Sequence, residues 1–339
     1  MQKDLYTGME KQSIDEIKQK IKENNVEMIR LEYTDILGVN RGKLMPVSMV
    51  DEIFGDGIAF CTVSLAMAFN NDIVSSEYFS ETNDDMKVIG DPSTFVILPH
   101  CDKTALVLGE LYYMEEPMLQ APREFLKKMV QEYHKLGLDP IAASELEFYI
   151  YNKMEDGTLE PYSKQPCTCY TANRRIDPKR FLYKLTNTFQ TMGFNVLYMN
   201  HEYFPGQFEY NWKHSKIVRA ADESSLFKAL SKYIAETNNL MMTFMGKPKN
   251  ASGGSGCHFH ISFNDIKTAD NICHDVKKQQ DKVPNSLFAA LKALDEDSWL
   301  TEHVGKELVD VFTSLKRKEI EEYKKYVTDW EWDTYSYHI

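Results

Sequence analysis

The run Gly253-Gly254-Ser255-Gly256-Cys257-His258-Phe259-His260-Ile261-Ser262-Phe263 constrains this chain more than any other. Glycine-rich backbone passes directly into a strict alternation. Strand side chains point to opposite faces with period two, so Cys257, Phe259, Ile261 and Phe263 share one face. His258, His260 and Ser262 share the other. One face asks for a core. The other offers two imidazoles and a hydroxyl to something polar. The glycines upstream let backbone come close to a ligand. An isolated H-x-H pair reads equally well as a half-buried edge strand with solvated histidines, and acidic partners elsewhere decide between the two.

Such partners are present. Ile141 to Tyr151 alternates, with Ala142, Ser144, Leu146, Phe148 and Ile150 on one face and Glu145 and Glu147 on the other. Phe194 to Tyr203 reads as a further strand, Pro205-Gly206 as a type II turn, and the return strand sets Gln207, Glu209 and Asn211 against Phe208, Tyr210 and Trp212. Glu202 and Glu209 flank that turn and can face one space. Each piece alone is an ordinary solvated face. Together they place four carboxylates and one or two imidazoles on successive strands. Like charges held together are costly unless a cation sits between them. This donor set suits Mg²⁺ or Mn²⁺ better than structural zinc. Two such ions can clamp a triphosphate during in-line phosphoryl transfer.

The surrounding pattern is α+β. Ser13-Ile14-Asp15-Glu16 forms a capping box for a helix carrying Ile14, Ile17 and Ile21. Glu27 to Pro46 reads as a hairpin turning at Asp35 to Gly38. Short strands continue to about residue 105. The expected division is a small domain over 1–112 and a second over 113–339, joined near Glu115-Glu116-Pro117-Met118. In the second unit Pro122 opens a helix that Gly137 closes. Asp177 and Pro178 are expected to start another, and Asp222 a third with Leu226, Leu230 and Ile234. Leu240 to Met245 reads as a buried strand. After the H-x-H strand, Ile266 to Val283 reads as a loop. Leu287, Leu291 and Leu294 mark a short helix, and Leu308 to about Val327 a longer one. The unit is thus a mainly antiparallel sheet covered by helices.

Composition narrows the function. The 339 residues hold 51 acidic and 39 basic side chains, a net charge of -12, with no strong basic run. This argues against nucleic-acid or anionic-membrane partners. Cys61, Cys101, Cys167, Cys169, Cys257 and Cys273 fit no zinc spacing and read as reduced thiols of a cytoplasmic protein. The N-terminus lacks a signal-peptide apolar core, and no apolar run reaches membrane-spanning length.

Four motifs carry a resemblance: Ser144-Glu145-Leu146-Glu147-Phe148; His201-Glu202-Tyr203-Phe204-Pro205-Gly206-Gln207-Phe208-Glu209; Thr243-Phe244-Met245-Gly246-Lys247-Pro248; and Gly254-Ser255-Gly256-Cys257-His258-Phe259-His260. In type and order they resemble the glutamine synthetases, nearest the bacterial type I group that includes γ-glutamylpolyamine ligases. Thr34 to Gly38 with Arg41-Gly42-Lys43 is similar to the family's N-terminal β-grasp domain, and Leu287 to Tyr335 to its C-terminal helices. The resemblance implies an ATP-dependent ligase joining the γ-carboxylate of glutamate to ammonia or an amine through an acyl phosphate. It implies Glu147, Glu202 and Glu209 at one metal ion and Glu145 and His258 at a second. His260 and Ser262 would meet ATP phosphates, and Gly253 and Gly254 would line the glutamate site. It also implies a ring-like homo-oligomer.

The chain departs from the family pattern in one interval. Between the H-x-H strand and the C-terminal helices the family carries an Asn-Ser-Tyr-Lys-Arg flap, a catalytic glutamate, several arginines and an Arg-x-Glu metal ligand. Here a central segment is missing between about 264 and 284, and Arg317 is the only arginine after Phe263. Phe60-Cys61-Thr62-Val63-Ser64 has no acid at the usual ammonium site, and Gly253 replaces the family's asparagine. Three readings follow: a γ-glutamyl ligase using ammonia, a ligase for a larger amine such as a polyamine, and a catalytically inactive relative with an assembly or binding role.

Overall fold

The computed structural model describes residues 3–74, 84–164, 169–172, 175–250, 252–272 and 283–335. Cys167, Cys273 and the 273–282 part of the expected loop lie outside them. The first half of the fold runs α1 (Ile14–Glu23), β1 (Met28–Thr34), β2 (Asn40–Pro46), α2 (Val50–Phe54), β3 (Ile58–Cys61), β4 (Asp85–Gly90), β5 (Val96–Ile97), β6 (Thr104–Tyr113) and β7 (Glu116–Pro117). The second half runs α3 (Pro122–Lys135), β8 (Leu138–Lys153), β9 (Leu159–Pro161), α4 (Phe181–Thr191), β10 (Val196–His201), β11 (Gln207–Trp212), β12 (Ser215–Lys216), α5 (Ile217–Glu236), β13 (Leu240–Thr243) and β14 (Cys257–Asp265). Helices α6 (Leu287–Glu296), α7 (Ser298–Val304), α8 (Lys306–Tyr323) and α9 (Asp329–Tyr335) follow.

Both halves are built by local rules visible in the chain. The Ser13–Glu16 capping box closes the start of α1, which buries Ile17 and Ile21. The β1–β2 turn is organised by the buried Asp35. Its Oδ1 accepts the N–H groups of Leu37 and Val39, and its Oδ2 accepts Arg41 Nε at 2.8 Å. The first sheet has the order β2-β1-β6-β4-β3, with β1 parallel to β6 and the remaining pairs antiparallel. Its core includes Val311 and Leu315 of α8, so the C-terminal helices close over the first sheet.

Strand β8 organises the second sheet. It pairs with β11, β12 and β9 along one side and with β14 and β13 along the other, all antiparallel. Ala142, Ser144, Leu146, Phe148 and Ile150 are all buried, as their alternation requires. Leu146, Phe148 and Ile150 share a core with Phe208, Tyr210 and Trp212 of β11 and with Leu226, Phe227, Leu230 and Ile234 of α5. Helices cover this face, which leaves Glu145 and Glu147 on the open one. The α+β architecture is as expected.

Four expectations change. Helix α4 begins at Phe181 rather than Pro178, because Arg180 takes a left-handed φ of 56°. Asp177 still serves the helix start, accepting the N–H groups of Leu182 and Tyr183 at 3.2 Å. Helix α5 starts at Ile217, and Asp222 lies inside it, holding Arg123 of α3 at 2.9 and 3.0 Å. Helix α8 ends at Tyr323, and a separate short α7 precedes it, capped by Asp297. Finally, the apolar face of β14 is not a core. Phe259 is 54% and Ile261 56% exposed, and Cys257 is exposed as well. Phe263 alone on that face packs, with its ring 4.9 Å from that of Tyr133.

Candidate metal centre

Sheet register brings the polar residues together in two rows. Glu145 of β8 stands opposite Asn211 of β11 and His258 of β14. One step along the same face, Glu147 stands opposite Glu209, which in turn stands opposite Asn200 of β10. Because all these strands are antiparallel neighbours, residues on one row sit within reach of a shared ion. One ligand atom each from Glu145, Glu209 and His258 lies within 4.8 Å of the other two.

Each acid is held by a neutral or imidazole donor. Glu145 meets both histidines: its Oε2 is 3.2 Å from His258 Nδ1, and its Oε1 is 3.0 Å from His260 Nε2. Gln207 donates to Glu147 Oε2 and to the Gly254 carbonyl, both at 2.9 Å. Asn200 donates to Glu202 and Asn211 to Glu209, both at 2.7 Å. Such contacts orient carboxylates while leaving lone pairs for a cation.

The electrostatics register the crowding. Burial, followed by the charges of Glu147 and Glu209, pushes the Glu202 carboxyl above the usual range. Burial also raises Glu209, with Glu145 and Glu147 adding to it and the Asn211 hydrogen bond opposing it. Cys169 lies beside Glu202, with Sγ 3.9 and 4.0 Å from its oxygens, and burial raises that thiol too. A divalent cation relieves this repulsion, and the donors on hand are carboxylate oxygens and imidazole nitrogen. The set fits Mg²⁺ or Mn²⁺.

The glycines of the sequence motif have steric roles. A Cβ on Gly256 would stand 2.7 Å from both Glu147 Oε1 and His258 Nε2. A Cβ on Gly253 would stand 2.2 Å from the Phe204 ring, and the Gly253 carbonyl accepts the Tyr149 hydroxyl at 3.1 Å. Gly254 is exposed beside them.

Glu145, Glu209 and His258 bring ligand atoms closest together, and Glu147, opposite Glu209, and Glu202 adjoin them. His260 turns to Glu145. It also lines, with Ser262 and His214, a cavity of about 410 Å³ along β14. Sequence reasoning did not single out Asn200, Cys169 or His214. Asn200 shares the phase of Glu202 two residues on, which is a usable signal. His214 follows β11 after its alternation has ended, and Cys169 arrives through a long-range contact, Tyr170 N–H to His201 O at 2.9 Å. Neither leaves a local pattern.

Comparison with known proteins identifies the family. The family model "Glutamine synthetase N-terminal domain" matches residues 14–121. "Glutamine synthetase, catalytic domain" matches in two pieces, 119–282 and 267–335, as an internally shortened domain would. The glutamine synthetase of Rhizobium meliloti (strain 1021) is 29% identical over 258 residues, covering 76% of this chain and 57% of the relative. A glutamate–isopropylamine ligase from Pseudomonas sp is 28% identical over 268 residues, covering 76% and 58%. A solved chain described as a GmaS/ADP complex shares the fold with a TM-score of 0.82 at 19% identity, covering 94% of this chain and 98% of that one. The chain spans little more than half the length of these curated relatives. It belongs to the glutamine synthetase family.

Proposed function

We propose that the open face of β8, β10, β11 and β14 is the site of an ATP-dependent ligase that joins the γ-carboxylate of glutamate to ammonia or an amine through an acyl phosphate. The observation that carries this reading is the cluster of Glu145, Glu209 and His258, with Glu147 and Glu202 adjoining. These five residues would hold Mg²⁺ or Mn²⁺, which when bound supplies charge neutralisation for the phosphates of ATP. His260 and Ser262 stand beside the cluster along β14, in position to donate to phosphate oxygens. Gly253 and Gly254 form the backbone wall on which glutamate would lie, and Gln207 fixes that wall to Glu147. The same reading includes assembly into a homo-oligomer in the cytoplasm.

One observation favours a second reading, metal binding with little or no turnover. Phosphoryl transfer to a carboxylate needs cations against two anions, and one lost donor costs about 10²–10³ in rate. Arg317 is committed to Asp295, its Nη2 donating at 2.6 and 2.5 Å. Arg41, Arg123 and Arg219 are likewise committed to Asp35, Asp91 with Asp222, and Glu223. Phosphate release with ATP, Mg²⁺, glutamate and either ammonia or putrescine separates the two readings. Turnover of about 1–10³ s⁻¹ supports the ligase. Mn²⁺ binding without turnover supports the second reading, and absence of Mn²⁺ binding overturns both.

A further inference from the structure

Gln207 is the first residue of β11 and is 2% exposed. Both protons of its side-chain amide are committed: Nε2 donates to Glu147 Oε2 and to the Gly254 carbonyl, each at 2.9 Å. Its Oε1 is buried and accepts nothing among the described residues. A buried amide oxygen left unpaired is costly, and a methionine of similar length would avoid that cost. What the amide adds is its pair of donors. They join a carboxylate of the open face to the backbone of the glycine run.

That run has other ties. The Tyr149 hydroxyl donates to the Gly253 carbonyl at 3.1 Å, the Glu147 N–H to the Gly256 carbonyl at 3.1 Å, and the Ser255 N–H to the Gly246 carbonyl at 2.8 Å. One hydroxyl and two backbone groups make these three. Of the four ties, only the one through Gln207 ends on a side-chain carboxylate, the group that answers to a cation. Gly253, Gly254 and Gly256 make the run expensive to order, because glycine loses more freedom on ordering than any other residue. A cation on the open face fixes Glu147, a fixed Glu147 fixes the amide, and the amide fixes the Gly254 carbonyl. We propose that Gln207 is a positioning residue that couples metal binding to the order of residues 253–256. The metal then completes the backbone wall before the carboxylate substrate lies on it. The coupling rests on the ligase reading above, since without an ion at Glu147 there is nothing for Gln207 to relay. Coupling of this kind is reciprocal and commonly about 5- to 150-fold, and ordering flexible backbone is one way to carry it.

The Ser255 N–H reports the order of the run, because its hydrogen bond to Gly246 must open before it exchanges. Hydrogen exchange of the full chain, followed at Ser255 by mass spectrometry in EDTA and at saturating Mn²⁺, tests the coupling. In the parent, Mn²⁺ should slow this exchange by at least about fivefold. In Gln207→Met the ratio should fall below about twofold, while calorimetry still finds Mn²⁺ bound. Gln207→Asn is one methylene shorter and cannot reach both acceptors; it should behave alike, and it covers the case in which Gln207→Met fails to fold. Tyr149→Phe cuts a tie that bypasses the ion. It should speed Ser255 exchange in both conditions and keep the parent's ratio, the pattern that Gln207 variants would also show if Gln207 merely propped the run. The parent's ratio kept in both Gln207 variants, or lost in Tyr149→Phe, would overturn the coupling. Mn²⁺ bound by the parent with no change at Ser255 overturns the coupling alone, and absence of Mn²⁺ binding overturns the ligase reading with it.

Discussion

Substituting alanine at Gly256 tests the metal centre without removing a ligand. Gly256 precedes β14, and its carbonyl accepts the Glu147 N–H at 3.1 Å. The new Cβ would stand 2.7 Å from Glu147 Oε1 and from His258 Nε2, where ordinary contact begins at 3.4 Å, so each group must retreat by 3.4 − 2.7, about 0.7 Å. Metal–ligand distances tolerate only about 0.2 Å. Disturbing the surroundings of ligands in this way weakens metal binding by about 10- to 100-fold, or roughly 1.4–2.8 kcal/mol. The fold itself should be nearly indifferent. The clashing atoms are side-chain ends that can swing, and Gly256 is not in the left-handed region. Alanine also stiffens the unfolded chain, a gain of about 0.4–1 kcal/mol that offsets the remaining strain. Calorimetric Mn²⁺ titration, paired with urea unfolding in EDTA, reads both quantities. If Mn²⁺ affinity stays within about twofold of the parent, Glu147 and His258 do not hold the ion from these positions and the centre is wrongly drawn.

Gly253→Ala should do the reverse. Its Cβ meets the Phe204 ring at 2.2 Å, and such overpacking costs about 1–3 kcal/mol, visible as a lower urea midpoint. Glu145→Ala should weaken Mn²⁺ binding more than Glu202→Ala, because Glu145 is in the three-ligand cluster and Glu202 adjoins it; calorimetry giving the opposite order would reassign the ion. His100 is half-buried with both ring nitrogens unpartnered, and burial, then Arg30 and Lys184, lower its pKa from 6.5 to about 4. Its folded pKa is depressed, so the unfolded chain binds the extra proton between those values, and stability falls as pH drops from 6.5 toward 4. At pH 5 the linkage amounts to about 2 kcal/mol, discounted to roughly 1 for solvent screening, and His100→Phe should remove that part of the pH slope measured by urea unfolding. Light scattering should find a homo-oligomer at micromolar concentration, and a clean monomer would count against the assembly proposal.

How far these residues announced themselves depended on whether their signal was local. The alternation of Ala142 to Ile150 and of Gln207 to Trp212 put apolar and acidic sets on opposite faces, and the sheet keeps both assignments. Ser13 and Glu16 cap α1 because a capping box is complete within four residues. Asp222 misled for the opposite reason. An aspartate before an apolar periodic run reads as an N-cap, but its partner Arg123 lies 99 residues away, and a buried guanidinium outweighs a cap. Tertiary pairing also arranges the site. The E-x-E and H-x-H motifs were legible, but only register shows that His258 and Asn211 flank Glu145 while Glu209 flanks Glu147.

That register also ties the site to the stability of the sheet. The acids of the open face and the apolar residues of the covered face are two phases of the same strands, so neither can move without the other. Burial of Phe148, Phe208 and Tyr210 therefore forces Glu147 and Glu209 together, with Glu202 just past the end of β10 beside them, and the raised carboxyls of Glu202 and Glu209 record the cost. An ion that binds the folded sheet and not the unfolded chain returns stability as RT ln(1 + [L]/Kd), about 2.7 kcal/mol at a hundredfold excess over Kd. The exposed strand β14 gains most, because His258 and His260 are its side-chain links to Glu145 and His258 alone of the two joins the cluster with Glu209, while Phe259 and Ile261 contribute no core. Mn²⁺ should accordingly slow amide exchange along Cys257–Asp265 more than along Gln207–Trp212, which the aromatic core already holds. Equal protection of the two strands would mean that the ion is not bridging them.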